Sequence, residues 1–358
     1  MEFGDRFAPY YQHVTPYIKD LANSGLHVSS NKLSRHSRSK AAHYISKVGM
    51  QRFHAYYVDL KPIIEAEDAN QVGIDDVLRL YKLDRKLRLL SLDAIERIEV
   101  AVKVEICSFL EEEFGRHFLS EILSGSFDGF NLAPRQNEEG DIPSKIITKA
   151  AKDIAINARK SPELKFLVVR SQEEKDAHLD PSKQVTPPIA FNKLTPTEIC
   201  ALLDKRHIAD AMTLGVASRI YERLGARGQA RVSSNFKVPH DVFEGWLRRM
   251  TTVRNSAAHH SRLWNRTHSN DVRITKQIYP NLYKSEQGNS PARKFYSTSI
   301  VLYHCLKCVA RRTRWHWRLF STLDSKSLTP ECLNVCHVMG FPKNWDRHDF
   351  WKGVGSTD

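Results

Sequence analysis

Three residues in one short stretch, Arg254, Asn255 and His259 of RNSAAHHSRLWNR at 254–266, have side chains suited to a phosphodiester. An imidazole exchanges its proton near neutral pH, so it can take one from a ribose 2′-hydroxyl or return one to a leaving oxygen. A guanidinium can clamp a phosphate in a bidentate fork while charge develops on it. The carboxamide of Asn255 can hold either the imidazole or a phosphate oxygen. On a helix Asn255 and His259, four apart, lie one above the other. Arg254 stands five before His259 and reaches the same place only by its long arm or from a paired subunit. The spacing alone also fits a solvated basic face that happens to carry a histidine. Catalytic candidates are therefore Arg254, Asn255 and His259, with no metal.

The element that must position them reads as a helix from His240 to about Asn265. At alternating four- and three-residue steps Trp246, Met250, Val253, Ala257, His260 and Trp264 fall on one face, which is the core side. His260 is then expected in the core, hydrogen-bonded to a neighbour, as a supporting residue. Arg248, Thr252, Asn255, His259, Arg262 and Arg266 fall on a polar face, which nominates Arg248, Arg262 and Arg266 as phosphate contacts. A third face carries Arg254 with Ala258 and Ser261, small enough to leave room beside it, and Asn265 in support. A second basic segment, KCVARRTRWHWRLF at 307–320, interleaves Arg311, Arg312, Arg314 and Arg318 with Trp315 and Trp317. Such a helix can grip phosphates and stack a base, although the tryptophans can equally pack inward.

Helical periodicity dominates the remainder, and no run of alternating strands and hairpin turns stands out, so the fold class is all-α. Residues 1–70 read as an N-terminal helical segment, including YIKDLANSGL, ended by Gly25, and KAAHYISKVGMQRFHAYYVDL. A long helix is expected from Ile74 to Glu113, its Leu and Ile stripe leaving Arg85, Arg88, Glu96 and Glu99 outside it. Residues 71–120 and 191–358 make the helical core. Residues 121–190 read as a loop-rich insertion with one helix, SKIITKAAKDIAINARK. Order returns at Thr195-Pro196-Thr197-Glu198, a capping box with proline in the first turn. A helix to about Lys205 follows, and then another from Ile208 to Leu224. The basic, glycine-containing LGARGQARVSS leads from there to His240, and further helices are expected at Ser299–Phe320 and Pro330–Val338.

Lys and Arg number 54 against 41 Asp and Glu, a formal net charge of +13 that attracts polyanions. No stretch is apolar enough for a membrane span, and the N-terminus lacks a signal-peptide core, so a cytoplasmic protein is expected. Six cysteines are too sparse for a disulfide scaffold. Cys305 and Cys308 with Cys332 and Cys336 imitate zinc knuckles, but they sit in helical segments without the tight glycine turns such ligands use, so no metal or other cofactor is expected.

The segment RNSAAHHSRLWNR resembles the signature of the Abi-like family of bacterial abortive-infection proteins, members of the HEPN superfamily. So do ANSGLHV, HYISKVGMQRFHAYY, YKLDRKLRLLSLDAIERIEVAVKVEI, GVASRIYERL and MGFPKNW, which together span most of the chain. The usual aromatic pair of the first motif is represented by Phe53 with Tyr56 and Tyr57. The resemblance implies a HEPN helical bundle with added N- and C-terminal helices. It also implies a metal-independent ribonuclease toxin whose R-x-x-x-x-H motifs meet across a homodimer, with Arg254 and His259 as the catalytic pair. A cognate noncoding RNA as a second partner would suit the positive charge. The alternative is a non-catalytic RNA-binding regulatory module, which would need neither His259 nor Asn255. Nucleotidyl transfer would need a Gly-Ser loop and paired carboxylates, which do not stand out.

Overall fold

A run of 41 residues with neither glycine nor proline, Ile74–Phe114, forms one unbroken helix around which the rest is assembled. The structure, a computed structural model, describes residues 15–23, 26, 35–66, 72–133, 142–161, 168–169, 189–279, 291–326 and 334–352. In chain order the helices are α1 (Thr15–Asn23), α2 (Arg35–Val48), α3 (Met50–Ala66), α4 (Ile74–Phe114), α5 (Phe118–Ser124) and α6 (Ile142–Arg159). Next come α7 (Pro196–Leu202), α8 (Lys205–Ala211), α9 (Leu214–Arg223), α10 (Ala226–Ser234) and α11 (His240–Ala258). The last are α12 (Phe295–Val309), α13 (Trp315–Leu323) and the single turn α14 (Val335–Val338). The all-α expectation holds; among the described residues the strand structure is a two-residue antiparallel pair, β1 (Val168–Val169) and β2 (Ile189–Ala190), and an isolated bridge between Phe130 and Leu224.

Helix α4 begins at Gly73, whose amide donates to Asp76 Oδ2 at 2.9 Å, and it ends at Gly115, where φ is +79°. Its Leu80, Leu83, Leu87, Ile95, Ile98, Val102 and Ile106 are buried, and α2, α3, α5 and α8–α13 all pack against it. At about 1.5–3 kcal/mol for each fully buried Leu, Ile or Val, this stripe is a large apolar contribution to the fold. Helix α10 lies close against α4 at Gly228, where a Cβ would stand 2.5 Å from Phe109 Cε1, so this position needs glycine.

Several boundaries differ from those the sequence suggests. The segment 121–190 is more than an insertion with one helix. Helix α6 buries Ile147, Ala150, Ala151, Ile154, Ala155 and Ala158 against α5, α7, α8 and α9, within the same core. The expected helix over 208–224 breaks at Met212, after which Thr213 Oγ1 accepts the Val216 amide at 3.3 Å and starts α9. The stretch LGARGQARVSS folds largely as α10 rather than as a connection. Likewise 299–320 is two helices, broken at 310–314, and only Val335–Val338 of the last expected helix is helical among the described residues. Gly25, Cys332 and 330–333 lie outside those residues. The capping box is present, with Thr195 Oγ1 accepting the Glu198 amide at 3.3 Å and Glu198 Oε2 accepting the Thr195 amide at 2.6 Å.

The chain beyond α11 returns to the core through Arg249, which is fully buried. Its guanidinium donates to Thr298 Oγ1 and the Ala292 carbonyl, both at 3.0 Å, and to the Asn270 carbonyl. Beside it His268 is 2% exposed, and burial, reinforced by Arg249, Arg266 and Lys294, pushes its imidazole down to about 3. Burial also pushes His304 down, to about 4. A base whose folded-state pKa is depressed contributes stability that is complete above its unfolded value near 6.5 and is lost as the pH falls below it. Unfolding free energy should therefore drop between about pH 6.5 and pH 4, by up to about 1.4 kcal/mol per pH unit for each of these histidines. Chemical denaturation across that range should show His268→Gln losing about one proton's worth of the slope; an unchanged slope would mean that His268 is protonated in the fold.

Candidate functional site

The expected helix to Asn265 ends early. Helix α11 stops at Ala258, and His259 is its C-terminal cap. The His260 amide donates to the Ala257 carbonyl at 3.1 Å and the Ser261 amide to the Ser256 carbonyl at 2.8 Å, the paired bonds of a Schellman turn. His260 occupies the left-handed position of that turn, with φ +57°, where glycine is usual. This reversal removes His260 from the apolar stripe. It is exposed, and its side chain makes no hydrogen bond among the described residues, so the expected core histidine is not there. Trp264, from the same expected face, is fully buried, but it arrives in the loop that follows the turn.

Within α11 the predicted core face stands. Val242, Phe243, Trp246, Leu247, Met250, Val253 and Ala257 are buried against α4, α9, α10 and α12, and Trp246 Nε1 donates to the Arg273 carbonyl at 2.9 Å. That packing leaves Asn255, Ala258 and His259 exposed at the helix end. Arg254 is half-buried, and its Nη1 donates to Asn255 Oδ1 at 3.2 Å. A groove of about 450 Å³ opens beside Arg254, lined by Leu92, Asp93, Glu96, Glu99, Val100 and Lys103 of α4. Within one chain Arg254 meets Asn255 rather than His259, so an imidazole, a carboxamide and a guanidinium share one exposed helix end without being closed into one site.

The other sequence candidates divide into two groups. Arg248 is ion-paired with Glu222 at 2.5 Å and Glu244 at 2.8 Å, and Arg318 with Asp93 at 2.8 Å. Arg262 pairs with Asp59 and donates to the Ala55 carbonyl of α3 at 3.0 Å, its guanidinium 6.0 Å from the Trp264 ring. Asn265 Oδ1 accepts from Lys294 Nζ at 3.2 Å. Arg266 is partly exposed and Arg311 and Arg314 are exposed, and none of them forms an ion pair among the described residues. The two tryptophans of the second basic segment part company. Trp315 is buried and donates to the Leu90 carbonyl at 2.8 Å, whereas Trp317 is 61% exposed. Cys305 is fully buried, and burial holds its thiol well above the ordinary value.

Sequence reasoning missed the polar cluster behind the motif. Asp84 is fully buried; its Oδ2 accepts from Tyr56 Oη at 2.5 Å and from Arg88 Nη1, which also donates to Tyr56 Oη at 3.1 Å. Its Oδ1 accepts the backbone amides of Leu263 at 3.0 Å and Trp264 at 2.6 Å. Desolvation pushes the Asp84 carboxyl up, against the pull of Arg88, Tyr56 and the two amides. Arg88, expected off the apolar stripe, is therefore inside the core as a counter-ion. A charged pair four apart, flanking Leu87 and following Leu83, was the available signal.

A family model described as Abi-like protein matches residues 43–265, which takes in α3, α4 and the whole candidate site. No curated protein and no solved structure matches the chain.

A non-glycine residue in the left-handed region is strained by about 1 kcal/mol, and His260 has no buried contact to offset that. His260→Gly should accordingly raise the midpoint of thermal unfolding. A fall in stability would show that the histidine ring makes a contact that holds the turn.

Proposed function

We propose, from the premise that the chain belongs to the Abi-like family, that it is a metal-independent endoribonuclease of HEPN type, acting in the cytoplasm as the toxin of a phage-defence system. Membership of the family points to a role in abortive infection. The observation that carries the finer reading is the exposed end of α11, where His259 is presented to solvent one helical turn from Asn255, to which the half-buried Arg254 is hydrogen-bonded.

In the proposed reaction His259 takes the proton of a ribose 2′-hydroxyl, O2′ bonds to phosphorus, and the bond from phosphorus to O5′ breaks. A second imidazole protonates O5′, leaving a 2′,3′-cyclic phosphate. Arg254 holds the non-bridging oxygens as charge builds on them, and Asn255 keeps its guanidinium aimed. One chain supplies one His259, so the second imidazole is the partner's in a homodimer assembled at this helix end. Leu89, Val100 and Val104, exposed on α4 near the Arg254 groove, are the apolar surface available to such an interface. The imidazole and guanidinium supply proton transfer and charge neutralisation, so activity should persist in EDTA. A cognate noncoding RNA held by the positive surface is proposed as the restraint on the toxin.

His259→Ala should lose about a hundredfold or more in cleavage rate with RNA affinity retained, and Arg254→Lys should fail to substitute for the planar fork. If the dimer forms a composite site that needs both imidazoles, mixing wild-type with His259→Ala subunits in equal amounts should leave roughly a quarter of the wild-type rate, because only about a quarter of the dimers keep both, whereas independent sites would leave about half. Full cleavage by His259→Ala would move the reaction to a different nuclease site, no cleavage by the wild-type protein would favour the non-catalytic RNA-binding reading, and about half of the wild-type rate on mixing would remove the composite site.

Salt dependence separates the arginines that have no ion pair among the described residues from the paired ones. Losing Arg266, Arg311 or Arg314 should flatten the dependence of RNA affinity on salt by about one unit each, whereas losing the ion-paired Arg248 should change it little. Equal slopes for all four variants, measured by titration at several salt concentrations, would assign the three unpaired arginines to solvent.

A further inference from the structure

We infer that Asp84 is a positioning residue for His259, acting through the backbone of the loop that follows the Schellman turn. The inference deepens the nuclease reading and rests on it for its kinetic test. Asp84 touches no substrate position. It is buried on α4, and its Oδ1 holds two consecutive amides, those of Leu263 and Trp264, four and five residues beyond His259.

Everything between that anchor and α11 is determined. The amides of His260 and Ser261 bond back to the carbonyls of Ala257 and Ser256. Arg262 is tied to α3 through Asp59 and the Ala55 carbonyl. The ring of Trp264 is fully buried. His259 itself has no side-chain hydrogen bond among the described residues, so its backbone sets the point and direction from which the imidazole projects. A left-handed histidine at 260 does not close such a turn by preference, and an anchor beyond it is what keeps the turn closed.

The other carboxylate oxygen explains why the anchor is an aspartate. Oδ2 is held by Tyr56 from α3 and by Arg88 one turn further along α4. The ring of Tyr56 is itself braced edge-on by Tyr81, with centroids 5.8 Å apart. The carboxylate is thus fixed on one side by two elements of the bundle and presents its other oxygen to the loop. Asparagine at 84 could still accept the two amides, but it would set an NH2 group against the guanidinium of Arg88, so the group would be displaced or turned.

The test compares Asp84→Asn with Val102→Ala in the full-length protein. Val102 is also buried on α4, about 27 Å along the helix from Asp84, and it serves as a control for lost stability alone. Asp84→Asn should lower kcat for RNA cleavage at least about tenfold with KM unchanged. It should also speed hydrogen exchange at the Leu263 and Trp264 amides and shift the imidazole resonances of His259, whereas Val102→Ala should do none of these at a temperature where both are folded. Tyr56→Phe, which removes one bond to Oδ2 and keeps the ring, should move the same readouts in the same direction by less, and it decides the matter if Asp84→Asn does not fold. Unchanged amide exchange and an unchanged His259 signal in the Asp84 and Tyr56 variants would overturn the inference. So would an equal loss of kcat in Val102→Ala. If the wild-type protein cleaves no RNA, the nuclease reading fails, while amide exchange and the His259 resonances still decide whether Asp84 sets that residue's position.

Discussion

A chain that leaves a helix and re-enters the core must find acceptors for its amides there, and in this protein a single buried carboxylate provides them. The amides of Leu263 and Trp264 both end on Asp84 Oδ1, and all three residues are fully buried. Leaving a buried donor unsatisfied costs about 1–3 kcal/mol, so two adjacent ones without an acceptor would favour another path for the loop. A carboxylate at that depth needs in turn a counter-ion and a further donor, which Arg88 and Tyr56 provide. The position of Tyr56 on α3 and of Arg88 on α4 is then tied to the path of the loop after α11. Three segments distant in sequence are fixed by the requirements of one charge, and the exposed end of α11 inherits its geometry from them.

The same bookkeeping of charge separates the basic residues. A net charge of +13 suggests a surface ready for phosphate, yet many of its cations are occupied. Arg248 and Arg318 neutralise carboxylates on neighbouring helices, Arg262 fastens the motif loop to α3, and Arg249 is wholly internal with neutral acceptors. An exposed ion pair contributes little to stability, about 1 kcal/mol or less, but it already has an anion beside it. The unpaired arginines at 266, 311 and 314 have none among the described residues, and the last two flank the segment that presents Trp317. Counting arginines on a helical wheel overstates the phosphate-binding surface, because the wheel does not show which neighbour carries the compensating charge.

Much of the architecture was legible because its signals are local. Helix α4 is bounded by Gly73 and Gly115 and contains neither glycine nor proline, so its ends could be placed nearly to the residue. The capping box at Thr195 and Glu198 is likewise a matter of four consecutive residues. What misled was punctuation by unexpected residues. His260 takes the place of glycine at the turn, so the apolar period appears to continue through Trp264 and the helix seems longer than it is. Gly228 reads as a break in α10, although it is there to let that helix lie against Phe109. The catalytic candidates could be nominated from residue type and spacing, and the structure places all three at one helix end. Asp84 and Arg88 offered the same method only an ambiguous signal, since a buried ion pair looks like any exposed pair four apart until the tertiary contacts are known.

The misreading at His260 shows how the site depends on the end of the helix and not on its face. Had α11 continued to Asn265, Arg262 and Arg266 would have followed Asn255 and His259 along one stripe, and His260 would have been held in the core. The turn instead takes His259 as its cap, brings both histidines to the surface and sends Arg262 back to α3. Arg254 stays behind on the helical part, bonded to Asn255 and bordering the groove along α4. The two halves of the R-x-x-x-x-H spacing therefore belong to different structural units, one to the rigid helix and one to a turn whose shape is set from Asp84. In the proposed nuclease Arg254 would stay fixed by the helix while the orientation of the His259 imidazole answers to the packing of the loop. That separation is the physical reason the helix end, with its strained left-handed residue, is the part of the molecule on which function should depend most sharply.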